Sequence, residues 1–188
     1  MAYAFGTGEW KNGLYYLVPL TAYLFGAFIS EILPNYVKKL HFRWETLEMF
    51  FETLVIIIVG LIPDSLPVQI AQVSINLICS MRYNTYRNTA GISMATTFCT
   101  NHVRQIGLSI ANAIMHPEDK YIRRKLLTHL LMILCFFSGA LSSVIISNYL
   151  TGKTILITVP ILIYLSIRML ICDITSEKDL LSRIPEGH

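Results

Sequence analysis

The sequence has little charge. Asp, Glu, Lys and Arg together make up 14% of its 188 residues, which is about half of the roughly 25% usual in a soluble domain. Hydrophobic residues account for 54%. So few charged side chains cannot cover a water-facing surface, and a disordered tail would need more of them. The composition therefore excludes a soluble enzyme and a disordered segment, and it indicates a membrane protein whose main partner is the lipid bilayer.

Clustered cysteines and the common catalytic motifs are also missing. The four cysteines, Cys79, Cys99, Cys135 and Cys172, lie far apart in apolar segments and include no Cys-x-x-Cys pair. A disulfide framework or a zinc site needs ligands closer together, so we expect reduced cysteines that only pack, and neither a metal nor a cofactor. The sequence contains no Gly-x-Ser-x-Gly, His-Glu-x-x-His or P-loop motif. The chain is therefore not expected to be an enzyme.

The net charge of +3 is small, and the basic residues are concentrated in two loops. A nucleic-acid-binding protein carries a basic face or stripe instead. The N-terminus also lacks the basic-then-apolar order of a cleavable signal peptide. Nucleic acid is therefore not an expected partner, and insertion into the bilayer depends on the apolar segments themselves.

The apolar residues form five blocks of about the 20 residues that a helix needs to cross the hydrocarbon core. Their continuity favours helices over the alternating strands of an outer-membrane barrel. The sequence therefore predicts an all-α polytopic transmembrane helix bundle, with one domain over residues 1–188. The expected spans are 14–33, 44–62, 66–86, 126–148 and 154–172. Pro34 and Pro63 are expected to close the first two spans, and the fifth could kink at Pro160.

The basic residues of the short loops predict the orientation, because Lys and Arg favour the cytoplasmic side. The loop before the second span carries Lys38, Lys39 and Arg43, and the loop before the fourth carries two lysines and two arginines between residues 120 and 125. Both loops are therefore placed inside a bacterial cytoplasmic (inner) membrane. The N-terminus then lies outside, and the tail over residues 173–188 is cytoplasmic.

Residues 91–115 do not fit a sixth crossing. The span before them and the loop after them are both expected on the cytoplasmic side, and the segment is rich in Thr, Asn and other polar residues. We expect a re-entrant or broken helix buried among the spans, since irregular backbone at membrane depth survives only inside protein or against a watery cavity. The alternative is an amphipathic helix that lies on the membrane surface.

The chain resembles itself at a distance of 113 positions. This shift lays residues 16–33 on residues 129–146, with Gly26 on Gly139 and the second span on the fifth. The matched helices would run in opposite directions across the membrane, as in the inverted repeats of many secondary transporters. We therefore expect the remnant of a 3+3 inverted repeat, in which the counterparts of the third span and of residues 91–115 would fall before Met1. The alternative is that five spans are the native design.

The segment from Ser80 to Gly107, SMRYNTYRNTAGISMATTFCTNHVRQIG, resembles the second half of the YoaK-like family of bacterial multi-helix membrane proteins, whose function is uncharacterised. The resemblance covers nearly the whole chain, including the stretch GEW…YLVPL before the first span. The family pattern implies a first helix and a Thr-Gly-Asn segment ahead of Met1, so a truncated product is one reading of this chain. The sequence departs from the pattern with Arg82 in place of Gln and His102 in place of Asn. The resemblance implies an architecture and no activity.

Three acidic residues lie in the second expected span. Glu45 and Glu48 are close enough to its cytoplasmic end to reach water, whereas Glu52 lies about 15 Å from the other end, near the bilayer centre. A charged group there costs about 2.5–3.5 kcal/mol unless it is compensated. The functional hypothesis is a coupling acid for protons or cations that faces a cavity. The alternative is a structural ion pair with a neighbouring helix. That partner would be Arg82, Arg104 or Arg168.

Residues 91–115 also bring together polar groups that could bind a solute. The candidate substrate-binding residues are Thr96, Thr97, Thr100, Asn101 and Arg104. If the chain breaks near Gly91, the helix that follows presents free backbone N–H groups and the positive end of its dipole. Together with a guanidinium group, this would suit a small anion or a carboxylate-bearing solute. The alternative is that these side chains only form hydrogen bonds between helices.

The remaining polar residues are expected to be structural. His102 has no second histidine one turn away, so metal binding is not expected there. Asn76, Ser80 and Asn84 follow one face of the third span at the spacing typical of helix packing.

The preferred function is permease-like handling of a small solute or ion, with Glu52 as the coupling acid. The main alternative is a non-transporting membrane scaffold or a subunit of a larger complex, and assembly as a homo-oligomer is left open. An intramembrane enzyme is a third hypothesis, for which the sequence offers no pair of nucleophile and base.

Overall fold

The computed structural model describes residues 2–37, 43–63, 65–89, 91–94 and 98–175. Within these ranges the chain is almost entirely helical, which confirms the all-α class. The elements in chain order are α1 (Ala2–Gly6), α2 (Trp10–Val37), α3 (Trp44–Leu61), α4 (Val68–Thr85), β1 (Asn88–Thr89), β2 (Ile92–Ser93), α5 (Cys99–Met115), α6 (Lys120–Leu150), a 3₁₀ helix (Thr151–Thr158) and α7 (Val159–Thr175).

Among the described residues, three helices are long and apolar enough to cross a membrane, as judged by length and composition. They are Gly13–Val37, Lys120–Leu150 and Gly152–Thr175, and they coincide with the first, fourth and fifth expected spans. α3 and α4 stand where the second and third spans are expected. However, α3 carries three glutamates, which is more charge than the other three helices hold in their apolar stretches, and α4 carries many amide and hydroxyl side chains, which make it less apolar. The helices are those of a membrane protein, whereas five crossings stay a prediction.

Pro34 differs from expectation, and Pro160 lies where the type of helix changes. Pro34 does not close the first helix, since α2 continues to Val37. A proline inside a helix removes one backbone hydrogen bond, and packing against neighbouring helices can offset that loss. Pro160 is the second residue of α7, after the 3₁₀ helix. The change from 3₁₀ to α geometry in this apolar stretch therefore lies beside the proline, and a kink there stays a prediction.

Residues 91–115 contain a hairpin strand and one continuous helix. Strands β1 and β2 pair antiparallel, and Gly91 between them has a φ of +77°, which a residue with a Cβ rarely adopts. α5 then runs unbroken from Cys99 to Met115. The irregular backbone therefore precedes this helix. Whether α5 enters the bilayer or lies on its surface stays a prediction.

The described residues form two compact units. The first contains the residues up to Thr85 and those from Ile155 onward, and the second contains residues 86–154. In the first unit α2 packs on α4, and α3 packs on both α4 and α7. In the second unit α5 packs on α6.

Within the first unit, α2 and α4 run side by side in the same direction. Near the start of both helices the Gln69 amide donates to the Tyr15 carbonyl oxygen at 3.3 Å. Near the end of both, the Asn84 amide donates to the Ser30 hydroxyl oxygen at 2.8 Å. The chain must therefore return through α3 over the same distance before α4 can begin.

Close approach of these two helices depends on Gly26. A Cβ at this position would clash with the backbone carbonyl oxygen of Leu77 and would lie 3.0 Å from the Cβ of Ser80. Small residues that let two backbones meet are typical of helix packing in membranes. This contact agrees with the packing role expected for Ser80.

The buried side chains of the described residues are mostly polar, and many of the exposed ones are large and apolar. Among the described residues, twelve polar or charged residues are buried, against eight hydrophobic ones. Large hydrophobic side chains face outward, for example Leu24 at 73% and Phe137 at 67% exposure. Water would penalise this distribution, whereas a bilayer favours apolar side chains outside and polar groups against other protein.

Candidate functional site

Four buried polar residues of α3 lie on two faces of that helix. Thr46, Glu48, Glu52 and Thr53 are between 1% and 7% exposed. At about 100° per residue, the two threonines share one face and the two glutamates share another. The threonine face meets α7, and Glu52 on the glutamate face meets α4.

Glu52 forms an ion pair with Arg82 of α4. The Arg82 Nη1 atom donates to both carboxylate oxygens, at 2.6 Å from Oε2. The Glu52 side chain is 9% exposed and that of Arg82 is 31% exposed. The Glu52 carboxylate therefore has a compensating positive charge. Arg82 supplies it, and Arg82 is one of the three arginines that the sequence analysis names as possible partners. Whether Glu52 also couples an ion stays a prediction.

Glu48 differs from expectation, because it is among the most buried side chains and does not reach water. Its neighbours explain the difference. Trp44 donates from its indole Nε1 to Thr85 Oγ1 on α4 at 2.8 Å, and Thr46 donates to Asp173 on α7. The first turn of α3 is therefore enclosed by helices on two sides, and Glu48 is enclosed with it.

The contact between α3 and α7 includes groups that the sequence does not reveal. Arg43 lies 3.3 Å from a carboxylate oxygen of Asp173, and the hydroxyl oxygens of Thr53 and Ser166 are 3.4 Å apart. Asp173 was expected to begin the cytoplasmic tail, but α7 extends to Thr175 and this carboxylate is buried. The one signal in the sequence is that Asp173 directly follows the apolar segment 154–172, so its carboxylate could meet a cation of another helix. Residues 176–188 of the expected tail lie outside the described residues.

The start of α5 carries three of the five candidate solute-binding residues. Thr100 and Arg104 are exposed, and the Arg104 guanidinium donates to Asn101 Oδ1 at 3.3 Å. The helix begins after Phe98, which makes no side-chain cap to the first turn. Thr96 and Thr97 lie outside the described residues. The structure thus brings Asn101 and Arg104 together at a helix N-terminus, and Glu52 belongs to the other unit.

A second histidine lies beside His102. The Nδ1 atoms of His102 and His129 are 2.8 Å apart, their ring centroids are 5.1 Å apart, and the rings are tilted by 52°. The two side chains are 3% and 0% exposed. Sequence reasoning treats His102 as isolated, because its partner lies 27 residues further on another helix and no local spacing indicates the contact.

The part of the chain that the structure describes holds no group of three or more His, Cys, Asp or Glu side chains able to bind a metal ion. The four cysteines are free. The chemistry of these clusters is therefore that of ion pairs, hydroxyl groups, amides and imidazoles.

A family model described as "Protein of unknown function (DUF1275)" matches residues 1–168. Comparisons with curated proteins and with solved structures find no match. A role for any residue must therefore be argued from the chain itself.

Proposed function

Since the chain belongs to the DUF1275 family of proteins of unknown function, which is the YoaK-like family that its sequence resembles, we propose a function from its own residues: permease-like handling of a small solute or ion. The observation that carries the proposal is the ion pair between the buried Glu52 carboxylate and the partly buried Arg82, in a chain whose exposed side chains are largely apolar among the described residues. Ionisable side chains inside membrane proteins are rare, and they often mark the route of an ion, a proton or a solute.

The directions of the helices support a bundle in which α3 and α4 also cross. α2 is long and apolar enough to span, and α4 runs parallel beside it. α3 and α4 have 18 residues each, a length of about 27 Å and close to the roughly 30 Å of the hydrocarbon core. A parallel neighbour of a spanning helix needs a return crossing, and α3 has the length for it.

The contact between α3 and α7 supports the inverted repeat. The shift of 113 positions comes from matching α2 with α6. Thr53 and Ser166, whose hydroxyl groups meet where the antiparallel helices α3 and α7 pack, are also 113 positions apart. If α3 and α7 were related by a two-fold axis, residues at the same position of the two repeats would meet where the helices pack. Inverted repeats related by such an axis are common among secondary transporters.

The start of α5 is the proposed place of solute binding. Arg104 supplies a positive charge, Thr100 a hydroxyl group, and the first turn the positive end of the helix dipole. These groups suit a small anion or a carboxylate. Thr96, Thr97 and Asn101 complete the proposed set, and Glu52 is proposed as the acid that couples a proton or cation.

Solute binding is testable by the thermal stability of the purified protein. A ligand that binds only the folded state adds about 2.7 kcal/mol at a hundred times its dissociation constant. We expect at least one small anion or carboxylate to raise the melting temperature, and we expect Arg104→Ala and Thr100→Val to remove that rise. Arg123→Ala is the control, because Arg123 is an exposed arginine in the first turn of α6. If both α5 variants match the wild type across a broad anion screen, the site is wrong.

The ion pair also favours the second candidate function, a membrane scaffold or a subunit of a larger complex. Arg82 already compensates Glu52, and the threonines of α3 bond to α7, so these groups could serve only to hold helices together. A scaffold requires a stable partner that co-purifies with the chain and that is lost when the contact surface is changed. A transporter requires solute-dependent behaviour of the chain itself.

The membrane and the orientation are part of the same proposal. The excess of Lys and Arg in two short loops supports a bacterial cytoplasmic membrane protein with its N-terminus outside and its C-terminus in the cytoplasm.

A further inference from the structure

Two buried imidazole rings share one contact in the second unit. His102 on α5 and His129 on α6 approach with their Nδ1 atoms 2.8 Å apart, which is a hydrogen-bond distance. An imidazole nitrogen is a donor when it carries a proton and an acceptor when it does not. The contact is therefore a hydrogen bond only if one of the two Nδ1 atoms is protonated and the other is bare.

The other ring nitrogen of His129 decides how this proton is placed. His129 Nε2 is fully buried and has no hydrogen-bond partner among the described residues. A buried N–H without an acceptor is rare in proteins. We therefore assign the proton of His129 to Nδ1, from which it donates to the bare Nδ1 of His102, and we leave His129 Nε2 without a proton.

The surroundings do not favour an added charge. At the positions one helical turn before or after the two histidines, the titratable side chains of α5 and α6 are Cys99 and Lys125. Lys125 lies on α6 and its charge acts on His129. Arg104, two residues after His102, is an exposed cation. None of these described neighbours is a carboxylate that could stabilise an imidazolium ion.

We propose that the His102–His129 pair is a proton-binding site, and that uptake of a proton from water releases α5 from α6. A proton added to His102 Nδ1 turns both facing atoms into donors and breaks the hydrogen bond. A proton added to His129 Nε2 leaves a buried charged N–H without an acceptor, which costs several kcal/mol. Either route favours an open state in which the imidazolium ion reaches water.

The sign of the pH dependence follows from this difference in protonation. The closed contact holds a neutral pair and the open state binds an extra proton, so the contact is strongest at neutral and alkaline pH and weakens in acid. The site does not depend on the proposed transport function. If transport holds, the pair links protonation to the helix that carries Thr100 and Arg104.

The direct test is nuclear magnetic resonance of the full chain in detergent micelles, with ¹⁵N-labelled histidine. At pH 7.5 we expect a scalar coupling between two Nδ1 atoms across the hydrogen bond, and we expect it to disappear on acidification. This measurement uses only the wild-type chain, so it tests the proposal even if a histidine variant fails to fold. A folded wild type without the coupling at pH 7.5, or with an unchanged coupling at pH 5, would overturn the proposal.

Hydrogen exchange provides the second measurement. After correction for the intrinsic exchange rate, we expect the protection factors of the α5 amides to fall as the pH drops below about 6.5, the ordinary pKa of a histidine in water. The expected slope is about tenfold per pH unit, which corresponds to the uptake of one proton on opening. His102→Asn and His129→Asn should flatten this dependence. His116→Asn should keep it, because His116 is exposed in the turn between the helices. Equal slopes in all four proteins would contradict the assignment, and no solute enters the experiment.

Discussion

Replacing Arg82 with Gln should lower the stability of the protein by about 3–5 kcal/mol, the cost of leaving a buried charge without its partner. The Glu52 side chain is 9% exposed, and its carboxylate accepts two hydrogen bonds from the Arg82 guanidinium group. Without that cation, the Glu52 carboxylate must either stay charged where little water can solvate it or take up a proton. The measurement is the thermal unfolding midpoint of the purified protein in detergent.

The double variant Glu52→Gln/Arg82→Gln separates the ion pair from other effects. It removes both charges, so most of the stability lost in Arg82→Gln should return. Arg168→Gln is the matched control, because Arg168 is an exposed arginine on α7 and its loss should have little effect. An Arg82→Gln protein as stable as Arg168→Gln would show that the pair does not support the fold.

Changing Gly26 to Ala should separate α2 from α4 and cost about 1–3 kcal/mol or more, the usual penalty for overpacking. The added methyl group meets the backbone carbonyl of Leu77, which cannot rotate away as a side chain can. The parallel contact that positions Asn84 against Ser30 would then open. Thermal unfolding and loss of the monodisperse peak in size-exclusion chromatography measure the effect.

Gly139 on α6 supplies a matched control for this substitution. It lies 113 positions after Gly26, and an added Cβ there meets nothing within 4 Å. Gly139→Ala should therefore unfold at the wild-type temperature or slightly above it, since alanine favours helix more than glycine does. Equal losses in both variants would mean that close packing at Gly26 is not what holds α2 to α4.

The helices were predictable because long apolar blocks carry a strong signal. The expected spans 14–33, 126–148 and 154–172 fall inside α2, α6 and the 3₁₀–α7 stretch, with differences only at the ends. Gly91 at the turn before α5 was also recognisable, since glycine readily adopts a positive φ. The resemblance to the YoaK-like family is confirmed by the family match.

The contacts between distant residues were less predictable. Three arginines could have paired with Glu52, and only packing selects Arg82. The burial of Glu48 could not be read from its position near the end of a span, because it depends on the helices that enclose it. His129 stood in the sequence as an unremarked residue of an apolar block, and only the crossing of α5 with α6 brings it to His102. Hydrophobic periodicity indicates which helices form, but it does not say which of their polar residues meet.

We propose that this membrane protein moves a small solute or ion across the bilayer. Uptake into proteoliposomes tests this proposal, with the wild type, Arg104→Ala or Glu52→Gln, across a panel of small anions and carboxylates and at two pH values. We predict wild-type uptake of at least one solute, loss of that uptake in Arg104→Ala, and loss of its pH dependence in a folded Glu52→Gln protein. Folded wild-type protein that is inserted in the bilayer and gives no uptake above empty liposomes at either pH would contradict the transport proposal.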